Sequence, residues 1–507
     1  MPRLPGFAAG DLVAGVSVAL VLIPQSLAYA ELAGLPPVAG LYAGALPAIV
    51  AAFFASSPYL ATGPVAIVSL LTFTSLSGLA EPGSEEYVGL ALLLSLMVGA
   101  IWLAVGLLRA GVVAYLMSQP MLMGFIPAAA LVIIGSQLPT ALGTSPPDGT
   151  VISEAAWALV HIGSWGLEPV LLTIMVLVFM FGGKRIHTLF PGVVVAAVLG
   201  ILFSHLTGYS GTTVGEIPVG APPVSFDFPL GALPSLIVPA IVISLVGFAE
   251  AGSIARTFAA LERRPWSSNR EFVAQGMANL TAGMSGGYPV CGSFSRSAVN
   301  RLAGAQSRWA GAITGLVVLA FLPAAAVLES LPKAVLAGII IGAAATLVRP
   351  VPILRLWRYS RPQFVVAATT FVCTLVFSEH VDYALIIGIC VAIIVHLWRE
   401  MRIDLDVRPE GETLHLTPRG VLWYGGAKSL EEALGAALAT HEQLQRLELH
   451  LEGLGRIDVT GALALRNVVT EAKRSGLAVT IDGVPDHARR LVTEIVEREE
   501  HPFGGGH

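Results

Sequence analysis

Arg296 is the residue of this chain that most needs a chemical explanation. It stands in Cys291-Gly292-Ser293-Phe294-Ser295-Arg296-Ser297, a serine-rich segment set among long apolar runs. An arginine at bilayer depth is costly and marks a functional site by default, and its guanidinium is a natural partner for an anion. The alternative is a charge paired with a neighbouring carboxylate only to hold helices together. The segment opens with Tyr288-x-x-Cys291-Gly292, and Tyr59-x-x-Thr62-Gly63 has the same pattern 229 residues earlier. Both read as extended chain leading into a short helix, with Pro64 suited to a first helical turn. Non-helical backbone inside a bilayer is tolerated only where it is buried in protein or lines a cavity. Two half-helices would then start near the midplane with their N-termini facing each other. Helix N-termini present free N–H groups and the positive end of the dipole, and so hold anions. The expected ligands are the backbone at Val65 and Ala66 together with Ser293, Phe294, Ser295 and Arg296.

Four more polar residues lie in apolar runs. Glu250 falls mid-run, sixteen residues after Pro234. It either pairs with Arg296 or carries a proton, and both suit coupling to an ion; the bland alternative is a structural ion pair. Glu31 is the matching carboxylate of an earlier run, near the run's end, where a water-facing loop position is equally plausible. Gln25 and Tyr29 are four residues apart and share a helix face. They could donate hydrogen bonds to an oxyanion, or serve as interhelical glue. His161, His187 and His205 have no metal-ligand spacing, and no metal or cofactor is expected. No GxxxxGK[ST] segment and no nucleophile–base constellation occurs, so the chain does not read as an enzyme.

Composition supplies the setting. Of 507 residues, 55% are hydrophobic and 12% charged, and the net charge is −5. Soluble proteins average about 25% charged residues, so this chain belongs in a lipid bilayer, and its negative charge excludes nucleic acid as a partner. Three cysteines in apolar surroundings exclude a disulfide framework. The charge is uneven: 35 of the first 403 residues are charged, against 28 of the last 104. A membrane domain over residues 1–403 and a soluble domain over 404–500 follow, with the boundary near Arg402 and a disordered tail at 501–507. The start lacks a convincing cleavage site, so the first helix is expected to stay as an anchor.

Fourteen candidate spans begin near Leu12, Val38, Pro64, Tyr87, Tyr115, Leu167, Pro191, Pro234, Glu271, Ser293, Trp309, Leu331, Gln363 and Tyr383. Ser153–Trp165 reads as an interfacial helix. With the N-terminus in the cytoplasm, Arg109, Lys184, Arg185, Arg263, Arg264, Arg308, Arg355 and Arg399 all fall on the cytoplasmic side, as the positive-inside rule asks. Only Lys333 falls outside, and the external loop 205–233 has no Lys or Arg. Tyr29-Ala30-Glu31 also resembles Phe248-Ala249-Glu250, 219 residues on. Matches in the same order, seven spans apart, imply two inverted seven-span repeats over about 11–208 and 231–400, an architecture of secondary transporters.

The tail alternates strand and helix, which indicates a small α/β domain. Its strands read as Leu414–Gly425, Leu447–Gly453 and Leu477–Gly483, and its helices as Ser429–His441, Thr460–Ser475 and Asp486–Arg498. At this point a resemblance can be stated. Ile23–Tyr42 resembles the first-span signature of the sulfate permease family of anion transporters. Cys291–Val299 resembles that family's tenth-span half-helix, whose Ser-Arg pair maps onto Ser295 and Arg296. The tail resembles a STAS domain: Asp458, Thr460 and Gly461 match its Asp-Ser-Ser-Gly helix start, with Val459 replacing the first serine. The resemblance implies the core-and-gate fold shared with uracil permeases and a homodimer. The expected protein is thus an all-α polytopic membrane protein with a cytoplasmic STAS domain that could meet a cytoplasmic regulator. The site predicts proton-coupled symport of a sulfate-like oxyanion or a dicarboxylate, small inorganic or organic anions being the substrate class. Sodium-coupled bicarbonate uptake, anion exchange and a passive channel are the alternatives, with the cell's inner (plasma) membrane as the location.

Overall fold

The computed structural model describes residues 6, 8–112, 117–218, 220–224, 226–400, 403–441 and 443–497. Tyr115, Arg402, Arg498 and the tail 501–507 lie outside the described residues. The chain forms two compact units, Met1–Val391 and Ala392–His507.

The first unit runs α1 (Ala9–Leu32), α2 (Pro37–Phe54), β1 (Ala61–Gly63), α3 (Ala66–Leu76), α4 (Glu85–Leu107), α5 (Gln119–Leu142), α6 (Val151–Val160), α7 (Leu167–Leu177), α8 (Gly183–Ile186) and α9 (Gly192–Thr207). It continues with α10 (Leu233–Leu261), α11 (Ser268–Met284), β2 (Cys291–Ser293), α12 (Phe294–Leu302), α13 (Trp309–Phe321), α14 (Lys333–Ala345), α15 (Val351–Tyr359), α16 (Arg361–Val376) and the first half of α17 (Val381–Glu400), a helix whose second half is counted with the other unit. Among the described residues, eight helices are long and apolar enough to cross a bilayer. Shorter helices occupy the remaining expected places, so each of the fourteen runs contains a helix, and α6 falls where the interfacial helix was expected. The sequence reading missed α15. Its Arg355 and Arg358 mark it as a charged loop, and of its residues only Ile353 is buried.

Small residues let these helices meet closely. A Cβ on Gly40 of α2 would collide with the Ser26 carbonyl of α1, and one on Gly124 of α5 with the Ala367 carbonyl of α16. Polar ties join other neighbours. The Tyr87 hydroxyl of α4 donates to the Ala33 carbonyl at 2.8 Å, and Trp102 Nε1 to the Ser244 carbonyl of α10 at 2.9 Å. Asp11, fully buried at the start of α1, accepts from the Gln306 and Ser307 amides at 2.8 Å and so joins α1 to the turn before α13.

The second unit contains β3 (Asp404–Glu410), β4 (Thr413–Leu422), α18 (Tyr424–Thr440), β5 (Arg446–His450), β6 (Leu454–Ile457), α19 (Val459–Arg474), β7 (Ala478–Asp482) and α20 (Asp486–Val492). The sheet order is β3-β4-β5-β7, with β6 also on β4. All pairings are parallel except β3–β4. Strand leucines such as Leu414, Leu416, Leu447 and Leu449 pack with Leu430, Leu434, Leu465 and Val468 of the helices in one core. Two strands differ from the sequence reading. β3 escaped notice because it is an edge strand with Pro409 in it and charged residues on either side, so its alternation is weak. β6 is only four residues long. α18 starts five residues before Ser429, since Tyr424-Gly425-Gly426 reads as loop and strand.

Candidate anion site

The site is built on β1 and β2. They pair antiparallel, with Ala61 opposite Ser293, Thr62 opposite Gly292 and Gly63 opposite Cys291. Each three-residue strand leads into a short helix, β1 into α3 through Pro64 and Val65 and β2 directly into α12. Side chains from elsewhere hold the strands in place. Ser297 Oγ accepts from the Ala61 amide at 2.9 Å, and Asn300 Nδ2 donates to the Tyr59 carbonyl at 3.1 Å. From α11, Gln275 Nε2 donates to Thr62 Oγ1 at 2.8 Å. Asn279 grips the chain leading into β2, accepting from the Val290 amide at 2.9 Å and donating to its carbonyl at 2.8 Å.

Both helix starts are left open. Val65 and Ser293 are the N-cap residues, and neither side chain caps its helix. The free first-turn N–H groups of α3 and α12 thus remain available. Arg296 follows one turn into α12 and is fully buried. None of its Nε, Nη1 and Nη2 atoms has a hydrogen-bond partner. A Cβ on Gly63 would lie 3.4 Å from Arg296 Nη2 and 3.4 Å from Leu22 of α1, so the guanidinium reaches across to β1. Gly63 itself has φ 156°, where a side chain is disfavoured.

The other expected residues divide. Gln25 and Tyr29 of α1 are buried, and Gln25 Oε1 lacks a partner. Tyr29, Tyr288, Cys291 and Glu250 lie within electrostatic range of Arg296. Val65, Ala66 and Ser293 are buried at the helix starts, whereas Phe294 and Ser295 are exposed and open the site to one side. Ser293 Oγ and Ser295 Oγ are 3.3 Å apart, and Phe294 stacks on Phe258 with ring centroids 6.0 Å apart. Glu250 is half-buried in mid-helix in α10, and its Oε2 has no partner. It forms no ion pair with Arg296, so of the two sequence options pairing is not realised. Glu31 lies apart from this group: next to last in α1, it is 3.0 Å from Lys333 Nζ at the start of α14. Sequence reasoning named the Tyr288 segment without nominating Tyr288, whose hydroxyl lies 3.2 Å from Ser69 Oγ of α3. Gln275 and Asn279 gave a weaker signal, as two amides four apart on a helix face.

Comparisons with known proteins agree with this architecture. The model of the sulfate permease family matches residues 8–370, and a STAS-domain model described as Mlab matches residues 405–495. The chloroplastic sulfate transporter 4.1 of Arabidopsis thaliana is 34% identical over 427 residues, covering 80% of this chain and 61% of that protein. The sodium-independent sulfate anion transporter of Bos taurus is 29% identical over 513 residues, covering 94% of this chain and 83% of that one. The chain therefore spans about three fifths of the length of the plant relative and over four fifths of the bovine one. Among solved structures, murine Solute Carrier 26 family member A9 shares the fold at a TM-score of 0.88 and 20% identity, over 97% of this chain and 88% of that chain. The transmembrane domain of the cyanobacterial bicarbonate transporter BicA matches at a TM-score of 0.64 and 26% identity, over 76% of this chain and 97% of that chain.

Proposed function

The chain belongs to the sulfate permease family, and from that premise we propose that it is a secondary active anion transporter moving a sulfate-like oxyanion or a dicarboxylate with a proton by alternating access. One observation carries the reading: a fully buried guanidinium without a partner, at the uncapped starts of two short helices. Leaving a buried charge uncompensated costs about 3–5 kcal/mol. An anion that accepts from Arg296 and from the free N–H groups of Ala66, Phe294 and their neighbours removes that cost. Gln25 and Tyr29 close the site from α1, with the hydroxyls of Ser293 and Ser295 on the open side.

The strand register supports the inverted repeat. Exchanging the two Tyr-x-x-(Thr/Cys)-Gly segments maps the Thr62–Gly292 pair onto the Cys291–Gly63 pair, as a pseudo-two-fold axis between them requires. Core and gate, in this reading, are parts of the 1–403 transport domain that move past one another. Both the N-terminus and the 404–500 STAS domain are cytoplasmic, the protein sits in the inner (plasma) membrane as a homodimer, and the STAS domain is open to a cytoplasmic regulator.

Coupling follows from charge. A divalent anion entering against a negative-inside potential works against about 2.3 kcal/mol per charge per 100 mV. An anion seated at Arg296 places negative charge within electrostatic range of Glu250, which then takes up a proton, so anion and proton bind together. The decisive experiment is uptake of labelled sulfate, bicarbonate, fumarate and oxalate into proteoliposomes under imposed proton or sodium gradients. Acceleration by an inward proton gradient is expected. Strict sodium dependence, or conduction without any coupling ion, would replace symport by one of the alternatives.

A further inference from the structure

The STAS sheet packs one face on its core and leaves the other without it. Leu414 and Leu416 of β4 and Leu447 and Leu449 of β5 enter the core. Strand alternation puts His415 of β4, and Glu448 and His450 of β5, on the opposite face. The parallel register sets His415 beside Glu448, with His450 two residues further along the same face. Three ligand-capable atoms meet there. His415 Nδ1 is 3.1 Å from His450 Nε2 and 3.2 Å from Glu448 Oε2, and His450 Nε2 is 3.8 Å from the same carboxylate oxygen. The point equidistant from all three lies about 2.0 Å from each. Zinc–imidazole and zinc–carboxylate bonds are about 2.0–2.2 Å long.

Hydrogen bonding alone serves this cluster poorly. A neutral imidazole carries one N–H. If His415 Nδ1 bears it, the single proton is shared between the His450 nitrogen and the Glu448 oxygen; if His450 Nε2 bears it and donates to His415 Nδ1, the Glu448 oxygen 3.2 Å from that nitrogen faces its lone pair with no proton between them. The geometry points to a divalent transition-metal site on the STAS sheet, with His415, Glu448 and His450 as ligands and a zinc-class ion as occupant. Two imidazoles and one carboxylate are a borderline-soft set that suits such ions over magnesium or calcium. The three side chains are 25–32% exposed, so ions can enter and a coordination position stays open to water or a fourth ligand. Arg408 stands across from His415 on β3, and its guanidinium is held 2.7 Å from Asp406. The site is independent of the anion site, since all its ligands belong to the second unit.

The test uses the full-length protein in detergent, purified without a polyhistidine tag and stripped with a chelator. Titration with Co2+ should give the strong visible absorption of a low-coordinate site, saturating at one ion per chain and displaced by Zn2+. His415→Ala and His450→Ala should each weaken binding at least tenfold. Glu448→Gln, which keeps the shape and removes the charge, should also weaken it, and Thr413→Ala on the same face should not. Zn2+ should raise the melting temperature of the wild type but not of the histidine variants. X-ray absorption on the zinc-loaded wild type should show two imidazoles in the coordination shell, a readout that does not depend on any variant folding. No uptake by the wild type, equal uptake by the His415→Ala/His450→Ala double variant, or a shell without imidazole would overturn the proposal.

Discussion

At the scale of single residues, the proposed anion site is a set of donors awaiting an acceptor. Arg296→Ala removes the one fixed positive charge, and losing such a buried partner costs about 3–5 kcal/mol. Sulfate binding should weaken by two orders of magnitude or more, measured by calorimetry on the detergent-purified protein, with folding checked by its melting curve. Arg296→Lys should fall between, because the charge survives but the planar fork does not. Glu250→Gln should abolish acceleration by a proton gradient while sparing anion exchange across the proteoliposome membrane; unchanged acceleration would remove Glu250 from coupling. The sequence singled out Arg296, Ser293 and Ser295 as candidates because they share one short segment whose serines and arginine stand out among apolar residues. It hid the fate of Glu31, because Lys333 comes from another span and only folding brings the two within 3.0 Å. His415 and His450 were hidden for the same reason: strand pairing, not spacing, unites them.

At the scale of elements, apolar runs and the repeated Tyr-x-x-(Thr/Cys)-Gly pattern made most of the membrane unit legible, since a bilayer leaves the backbone few options. Elements that depend on their neighbours were harder. β3 exists because β4 offers it a partner, and α15 buries a single residue, Ile353. The polar clamp on β2 is of this dependent kind as well. Asn279→Leu should leave the Val290 amide and carbonyl without partners, at about 1–3 kcal/mol each. The melting temperature should drop, and anion affinity should drop with it, because the start of α12 loses its fixed position. Helix packing gives a sharper contrast. Gly40→Val forces a Cβ against the Ser26 carbonyl, whereas Gly78 has nothing within 4 Å of a built Cβ. Gly40→Val should cut the yield of monodisperse protein in size-exclusion chromatography, and Gly78→Ala should not.

At the scale of the whole molecule, the proposed anion and metal sites fall in separate compact units. Deleting everything after Asp404 should leave a protein that sulfate still stabilises against heat, since a ligand that binds only the folded state raises its apparent stability. A truncated protein that is well folded yet indifferent to sulfate would show that the tail contributes to binding. The strand pair has a consequence of another kind. The short β1–β2 ladder and its side-chain clamps tie the starts of both half-helices into one piece. Under the proposed alternating access, a seat built this way presents the same donors whichever side of the membrane it faces. Its intrinsic affinity would then be one number, identical for loading and for unloading. Such a seat is a fair balance: it holds the ion without favouring a direction, and any accumulation on one side must come from the voltage and from whatever else rides along.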